Sequence, residues 1–457
     1  MTKVIVIVFA LIILMMFYSH RNPQWVYAAI IRPVLSKIIN YGVYYFRRFV
    51  LFESVEKAKR EHYNDYSRNE RRKEKMRTLI NIAVVNRNRN KYSETFIDLK
   101  IKGLKNAGYY VHQLYGGYFP TSEFYENQLL TDNLIIQKFI DFWEIFWNKG
   151  NNYYLKKAFR NYLKRNRVKI VFAEFGTCGV EVFEDCKKAG IPLIVTFRGY
   201  DIHHKEFFEI NRERYKEMFT YCSKVICVSN DILNKINSIY SINDRLMYLP
   251  SLIDLNLFAF TDHSKNSSVF LYVGRFAETK SPHLVILSFY ETLKHVPEAR
   301  LVMIGKDGGG ELFEACHILA KALNIQDKIE FKGVQTPQQV YEEMKKARVF
   351  VQHSLTTPIN GDKEGTPVSV REAMACGLPV VATKHAGIIE IIEHNKTGVL
   401  VEEYDYLSMA KEMVRVCRND ILVFSIGENA SESIHKNNLI KNNIKILAAE
   451  IEKYRLR

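Results

Sequence analysis

The chain has 457 residues, too long for one ordinary core, so two domains of roughly 150–200 residues are expected. Its composition, 47% hydrophobic, 13% aromatic and 25% charged, is globular and excludes a disordered, collagen-like or low-complexity protein. Lys and Arg exceed Asp and Glu by 15, but nine of those net charges fall within residues 1–77, beside the one long apolar run. That placement points to anionic lipid, and away from nucleic acid.

Val4–Tyr18 is an unbroken apolar stretch of 15 residues. As a helix it spans about 22 Å, short of a hydrocarbon core of about 30 Å. No small-x-small site follows in Ser19–Trp25, so the stretch is expected to remain attached. Arg21, Arg32, Lys37, Arg47 and Arg48 follow it, against Lys3 alone before it, which keeps the body on the cytoplasmic side. Val34–Phe52 carries Leu35, Ile38, Ile39, Tyr45, Phe46 and Phe49 at helical spacing, as a helix lying in the headgroup region would. Glu53–Arg77, with 15 charged residues in 25, reads as a solvated helical spacer.

From Ile80 onward, short β-rich runs alternate with helical patterns. The first series is Ile80–Val85, Tyr109–Tyr115, Lys169–Phe175, Pro192–Phe197, Lys224–Ser229 and Arg245–Leu249. The second is Val269–Gly274, Arg300–Gly305, Lys328–Gly333, Arg348–Ser354, Leu378–Thr383 and Gly398–Glu402. Continuous apolar strands separated by helices predict parallel sheets covered on both faces, hence two Rossmann-like, doubly wound α/β domains. The polar stretch Thr261–Ser268 is the expected hinge, and the ligand site is expected in the cleft between the domains. Gly308–Gly310 reads as a strand-to-helix turn. No Gly-x-Gly-x-x-Gly follows the first strand and no Walker-type loop occurs. Seven cysteines without a Cys-x-x-Cys pair read as buried thiols of a reducing compartment.

The segment Asn360–Thr383, NGDKEGTPVSVREAMACGLPVVAT, carries the chemistry. Pro367 can open a helix, Gly377 can cap it and Pro379 forbids continuation, predicting a helix over Pro367–Cys376. Its N-terminal amides, around Gly365, Thr366, Pro367, Val368 and Ser369, suit a phosphate. Glu364 and Glu372, eight residues apart, could accept hydroxyls at the two ends of a phosphate-linked ligand, a sugar and a ribose. Upstream, Gly274 ends the first strand of the same domain, and Arg275 and Lys280 at its mouth could clamp a diphosphate. No Asp-x-Asp occurs, so a divalent-cation clamp lacks obvious ligands and no metal site is assigned.

These motifs resemble the GT-B retaining glycosyltransferases of family 4, the glycosyl transferases group 1 type. The segments are VGRFAETKS, RLVMIGKDG, IEFKGV, GDKEGTPVSVREAMACGLPVVAT, HAGIIEII and NKTGVLV. In the amino half, YSETFI, FAEFGTCG and TFRGYDI resemble the colanic-acid and capsule-type branch. The resemblance runs from about residue 79 to about 445 and leaves the anchor, 1–77, outside it; it implies an acceptor domain (78–260), a nucleotide-sugar donor domain (268–420) and carboxy-terminal helices (421–457) returning toward the first domain. It implies a nucleotide-sugar donor, UDP- or GDP-linked, with Arg275 and Lys280 on the diphosphate, Glu364 on the donor sugar and Glu372 on the ribose. It also implies a lipid-linked or polysaccharide acceptor at the inner face of a bacterial membrane, and no cofactor or metal. A nucleotide-sugar epimerase of the same fold and a tethered, non-catalytic binding scaffold stand as alternatives.

Two departures stand out. Glu174-Phe175-Gly176 occupies the place of His-Phe-Gly, and Arg198-Gly199-Tyr200-Asp201 that of His-Gly-x-Asp. Arg198 cannot act as a base, but is expected to stabilise the leaving phosphate. His203 or His204 could replace the missing histidine.

Overall fold

The computed structural model describes residues 79–88, 94–117, 119–123, 152–306, 311–436 and 439–455. The readings made on residues 1–77 and on Gly308–Gly310 lie outside the described residues. Thr78–Arg457 forms one compact unit.

The first sheet contains β1 (Ile80–Asn86), β2 (Tyr109–Tyr115), β3 (Ser122–Glu123), β4 (Val168–Ala173), β5 (Leu193–Phe197), β6 (Lys224–Cys227) and β7 (Leu246–Tyr248), in the order β3-β2-β1-β4-β5-β6-β7. All pairs are parallel except β2–β3. The two-residue edge strand β3 was not foreseen. The six longer runs fall where the apolar pattern placed them, within one or two residues. Around them lie α1 (Thr95–Asn106), α2 (Tyr153–Arg165), α3 (Gly176–Ala189), α4 (Tyr200–His203), α5 (Lys205–Tyr221) and α6 (Asn230–Tyr240). Ala83, Val85, Val171 and Val195 point to one apolar layer, whereas Ile82, Val84, Ile170 and Ile194 point to the other. That period-two division of largely apolar strands is what a sheet covered on both faces requires.

The second sheet contains β8 (Val269–Val273), β9 (Arg300–Ile304), β10 (Ile329–Gly333), β11 (Val349–Gln352), β12 (Val380–Thr383) and β13 (Val399–Val401), all parallel, in the order β10-β9-β8-β11-β12-β13. Its helices are α7 (Pro282–Leu293), α8 (Leu312–Ala322), α9 (Pro337–Lys346), α10 (Val368–Ala375), α11 (Tyr406–Cys417) and α12 (Asp420–Lys436). Phe270, Tyr272, Met303 and Val351 line one face, and Leu271, Val302, Phe350 and Ala382 the other. The strand order reverses between β8 and β11. Loops leaving these two carboxyl ends diverge there and open a crevice for a ligand.

The chain passes between domains earlier than expected. Leu252 packs in the first domain's core and Ile253 in the second's. Thr261–Ser268, expected as a hinge, is built into the second domain. The ring nitrogens of His263, which is buried, face the carbonyls of Ala347 and Cys376 at 2.9 and 3.2 Å, and Thr261 N–H donates to Cys376 O. His263 and the Thr261 N–H serve buried carbonyls, while Asp262, Lys265 and Ser267 face solvent. The final helix α13 (Leu439–Glu452) packs on α1 of the first domain, through Ile444, Leu447 and Ile451.

Helix α12 crosses the end of α10 at close range. Ser431 Oγ donates to Ala375 O at 2.9 Å, and a Cβ on Gly427 would overlap the carbonyl of Gly377. Gly-to-Ala within a helix ordinarily stabilises by about 1 kcal/mol. Here the sign should reverse: Gly427→Ala is expected to lower stability by about 1–3 kcal/mol through overpacking. Thermal melts of the two proteins check this, and an unchanged or raised Tm contradicts it.

Candidate active site

Strand β8 delivers the first group of residues. Gly274 is the first residue beyond it, and Arg275 follows with its side chain exposed and without an ion pair among the described residues. The chain then turns through Glu278–Lys280, and Ser281, in a left-handed conformation, starts α7 ahead of Pro282. This turn drives Lys280 inward until only 7% of the residue is exposed. Its Nζ lies 2.7 Å from Glu364 Oε2.

Glu364 comes from the loop between β11 and α10. Burial pushes its carboxyl up, but the charges of Lys280 and Arg275 outweigh this and hold it below the ordinary carboxylate range. Burial lowers the Lys280 ammonium, with Glu364 opposing the shift. The 2.7 Å contact has ion-pair geometry, and exposed Arg275 lies beside it without an ion pair among the described residues.

The loop is held from behind by residues for which the sequence reading assigned no role. Glu364 N–H donates to His385 Nε2 at 3.2 Å, and His385 Nδ1 meets Glu403 Oε1 at 2.6 Å. This fixes the imidazole with its proton on Nδ1, because Nε2 must accept. Glu403 also takes the N–H of Thr356 at 2.8 Å. Gly387 N–H donates to Gly365 O at 3.0 Å. His385 lies within HAGIIEII, yet its partner Glu403 is 18 residues away on the next strand connection. No local spacing signals that pair.

Helix α10 begins one residue later than expected, with Pro367 as the extended residue before it. The amides at its start, up to Ser369, have no acceptor within the helix. Thr366 and Pro367 are buried, and Val368 and Ser369 are half-buried at the same end. Glu372, one turn along, is 9% exposed, and no donor reaches its carboxylate among the described residues. Burial pushes that carboxyl up to about 7, against a small opposing effect from Arg371. Gly274, Arg275, Lys280, Glu364 and the α10 N-terminus thus converge at the β8–β11 switch point, with Glu372 on the first turns of the same helix.

The first domain closes on this loop with main chain. Gly199, at φ +131°, sits so close that an added Cβ would lie 2.8 Å from Lys363 O, and a Cβ on Gly365 would lie 2.6 Å from Arg198 O. Lys205 N–H donates to Asn360 O at 2.8 Å, and Thr366 Oγ1 to Val228 O at 3.3 Å. Glu390 accepts the N–H groups of Asn230 and Asp231 at 3.0 and 3.1 Å, a carboxylate across the cleft at the N-terminus of α6.

The Arg198 side chain turns the other way. Its Nη2 donates to Glu174 Oε2 at 2.6 Å and its Nη1 to Ser251 Oγ at 2.9 Å, so the guanidinium is committed within its own domain. Neither neighbouring histidine stands free. His203 is buried with its Nε2 3.0 Å from Asp231 Oδ2, and His204 Nδ1 accepts the N–H of Phe207 at the start of α5. Among the described residues, no group of three or more His, Cys, Asp or Glu side chains is arranged to hold a metal ion. All seven cysteines are free and buried.

Glu372 makes a stability prediction. A carboxyl raised from 4.5 to about 7 by folding opposes the folded state in its charged form. The cost is absent below about pH 4.5, grows with rising pH and is complete above about pH 7. Glu372→Gln should therefore melt about 2–4 °C above the parent at pH 8, the gap closing at pH 4.5. Superimposable melts at pH 8 refute it.

Residues 255–433 match the Glycosyl transferases group 1 family, and residues 93–257 match Glycosyltransferase Family 4. A protein of Salmonella typhimurium provisionally named colanic acid biosynthesis glycosyltransferase WcaL is 26% identical over 258 residues, 55% of this chain and 62% of its own. The N-acetyl-alpha-D-glucosaminyl L-malate synthase of Bacillus anthracis is 27% identical over 223 residues, 46% of this chain and 55% of its own. The chain thus spans somewhat over half the length of these curated relatives. The crystal structure of Anabaena Alr3699/HepE in complex with UDP-glucose shares the fold, with a TM-score of 0.64 at 18% identity, over 82% of this chain and 100% of that one. The chain carries a Glycosyltransferase Family 4 domain followed directly by a Glycosyl transferases group 1 domain, in the two-sheet GT-B arrangement.

Proposed function

We propose that the protein transfers a sugar from a nucleotide-sugar donor to an acceptor hydroxyl, with retention and without a divalent cation. The observation that carries this reading is the buried Lys280–Glu364 pair beside exposed Arg275 at the opening of α10. Arg275, Lys280 and the first amides of α10 would take the diphosphate, and Glu364 the hydroxyls of the transferred sugar. Glu372, which no donor reaches among the described residues, would accept from the ribose. These three positive elements neutralise the developing phosphate charge in place of a metal ion. The neighbour solved with UDP-glucose makes a UDP-linked donor the first to test.

In the transfer, the bond from the anomeric carbon to the diphosphate oxygen breaks and a bond to the acceptor oxygen forms on the same face. The acceptor's proton ends on the departing diphosphate. The work left to the protein is positioning and charge stabilisation.

Screening a panel of nucleotide sugars for donor hydrolysis tests the activity. Arg275→Ala is expected to weaken nucleoside-diphosphate binding by about 1.5–3 kcal/mol, as loss of a charge-assisted contact does. Glu372→Gln should weaken binding of the free nucleotide, whereas Glu364→Gln should spare it and lower turnover. Full turnover in Glu364→Gln, or unaltered affinity in Arg275→Ala, counts against the assignment.

We further propose that residues 1–77 hold the protein at the cytoplasmic face of a bacterial inner membrane, where a lipid-linked or surface-polysaccharide acceptor reaches the cleft. Support comes from the apolar run Val4–Tyr18, the amphipathic Val34–Phe52 and the nine net positive charges of the segment. Among the described residues no helix is long and apolar enough to cross a membrane. Deleting residues 1–52 should release the protein to the soluble fraction with donor hydrolysis intact. A truncated protein that still pellets after a high-salt wash would place the anchor elsewhere.

A further inference from the structure

Three charged side chains from separate elements meet below the carboxyl ends of β4 and β5. Glu174 follows β4 and is completely buried; Lys100 of α1 is 5% exposed; Arg198 follows β5. One oxygen of Glu174 receives Lys100 and the other receives Arg198 Nη2 at 2.6 Å. The guanidinium lies over the ring of Phe96, 3.8 Å from its centroid, and Nη1 donates to Ser251 Oγ. Three contacts of different chemistry, an ion pair, an aromatic face and a hydroxyl, thus hold the Arg198 guanidinium in place.

The main chain of the same residue belongs to the interface. Arg198 N–H donates to the Asp201 carboxylate at 3.2 Å, while its carbonyl and Gly199 press on Lys363–Gly365, the loop that presents Glu364. Glu174 and Arg198, 24 residues apart in the chain, are bonded to each other. A carboxylate introduced alone at position 174 would leave a buried charge facing Lys100 only; a guanidinium introduced alone at 198 would be unpaired. Each makes the other tolerable.

We infer that Glu174 and Arg198 form a coupled pair of positioning residues, which fix the Arg198–Gly199 main chain against the Glu364–Gly365 loop, so that Arg198 acts on the donor only through that contact. The inference rests on the reading of Glu364 as a donor-sugar residue, and replaces the expectation that Arg198 stabilises the departing phosphate.

The test uses the full chain, with UDP as the binding probe and the donor that the parent protein hydrolyses as the kinetic probe. Glu174→Gln, Arg198→Gln and the double variant are compared for UDP affinity, kcat and KM. UDP affinity also reports folding of the donor domain, and Arg198→Lys supplies a milder variant that keeps the charge. The expected result is a tenfold or greater fall in kcat in both single variants, UDP affinity within twofold of the parent, and a double variant no worse than the worse single. A smaller kcat loss is expected in Arg198→Lys. If Arg198→Gln weakens UDP tenfold or more while Glu174→Gln leaves it unchanged, Arg198 is a phosphate ligand and the inference is overturned. Losses that multiply in the double variant overturn it equally, because two independent residues would then be at work. Full turnover in Glu364→Gln, measured alongside, would instead strike the reading of the donor loop and leave the coupling between 174 and 198 as measured.

Discussion

The two domains meet backbone to backbone at Gly199 and Gly365, and the groups gathered around the proposed donor depend on that contact. A side chain at either position would occupy the space of the opposing main chain, and Gly199 in addition has a φ that L-residues rarely adopt. With both glycines in place, the Arg198 carbonyl touches the loop carrying Glu364, and further hydrogen bonds, donated by Lys205 N–H and Thr366 Oγ1 and accepted by the Glu390 carboxylate, close the surrounding interface. The loop is thus gripped from the first domain in front and from His385 and Gly387 behind.

Charge is distributed unevenly about that loop. Lys280 and Glu364 cancel within a buried pair, so the exposed Arg275 and the α10 amides leave the mouth of β8 positive, as a diphosphate site requires. Glu372 stands apart, with burial driving its carboxyl toward the neutral form. Its cost in stability is the kind found at ligand sites, where a polar group is kept without a protein partner. The Lys100–Glu174–Arg198 cluster on the facing wall is different in kind. Every charge in it is opposed by another within the same domain, and such clusters contribute geometry more readily than stability.

Much of this architecture is legible in the residues alone. Twelve largely apolar runs became twelve parallel strands of three to seven residues, because segments with apolar residues on both alternating sets are buried best in a sheet covered on both faces. The Gly274–Lys280 and Glu364–Glu372 groups could be assigned for a related reason. Each group is contiguous and sits on a strand end or helix start, where local backbone geometry already sets the direction in which the groups point. Even where the pattern misled, the cause is physical: Thr261–Ser268 looks like a solvent-exposed linker by composition, but its polar groups satisfy the buried carbonyls of Ala347 and Cys376.

The amino-acid sequence by itself determined the two wound domains, the helix that follows Pro367 and the positions of Arg275, Lys280 and Glu364 at a strand end and ahead of a helix, since each depends on neighbours a few residues away. Packing decided the rest. That Arg198 turns toward Glu174, that His385 reaches Glu403 and that Glu372 is buried without a donor are outcomes of contacts between segments separated along the chain or brought together across the cleft. Side-chain direction and burial arise only when those segments pack, and the desolvation that then acts on each charge selects the partner it must find.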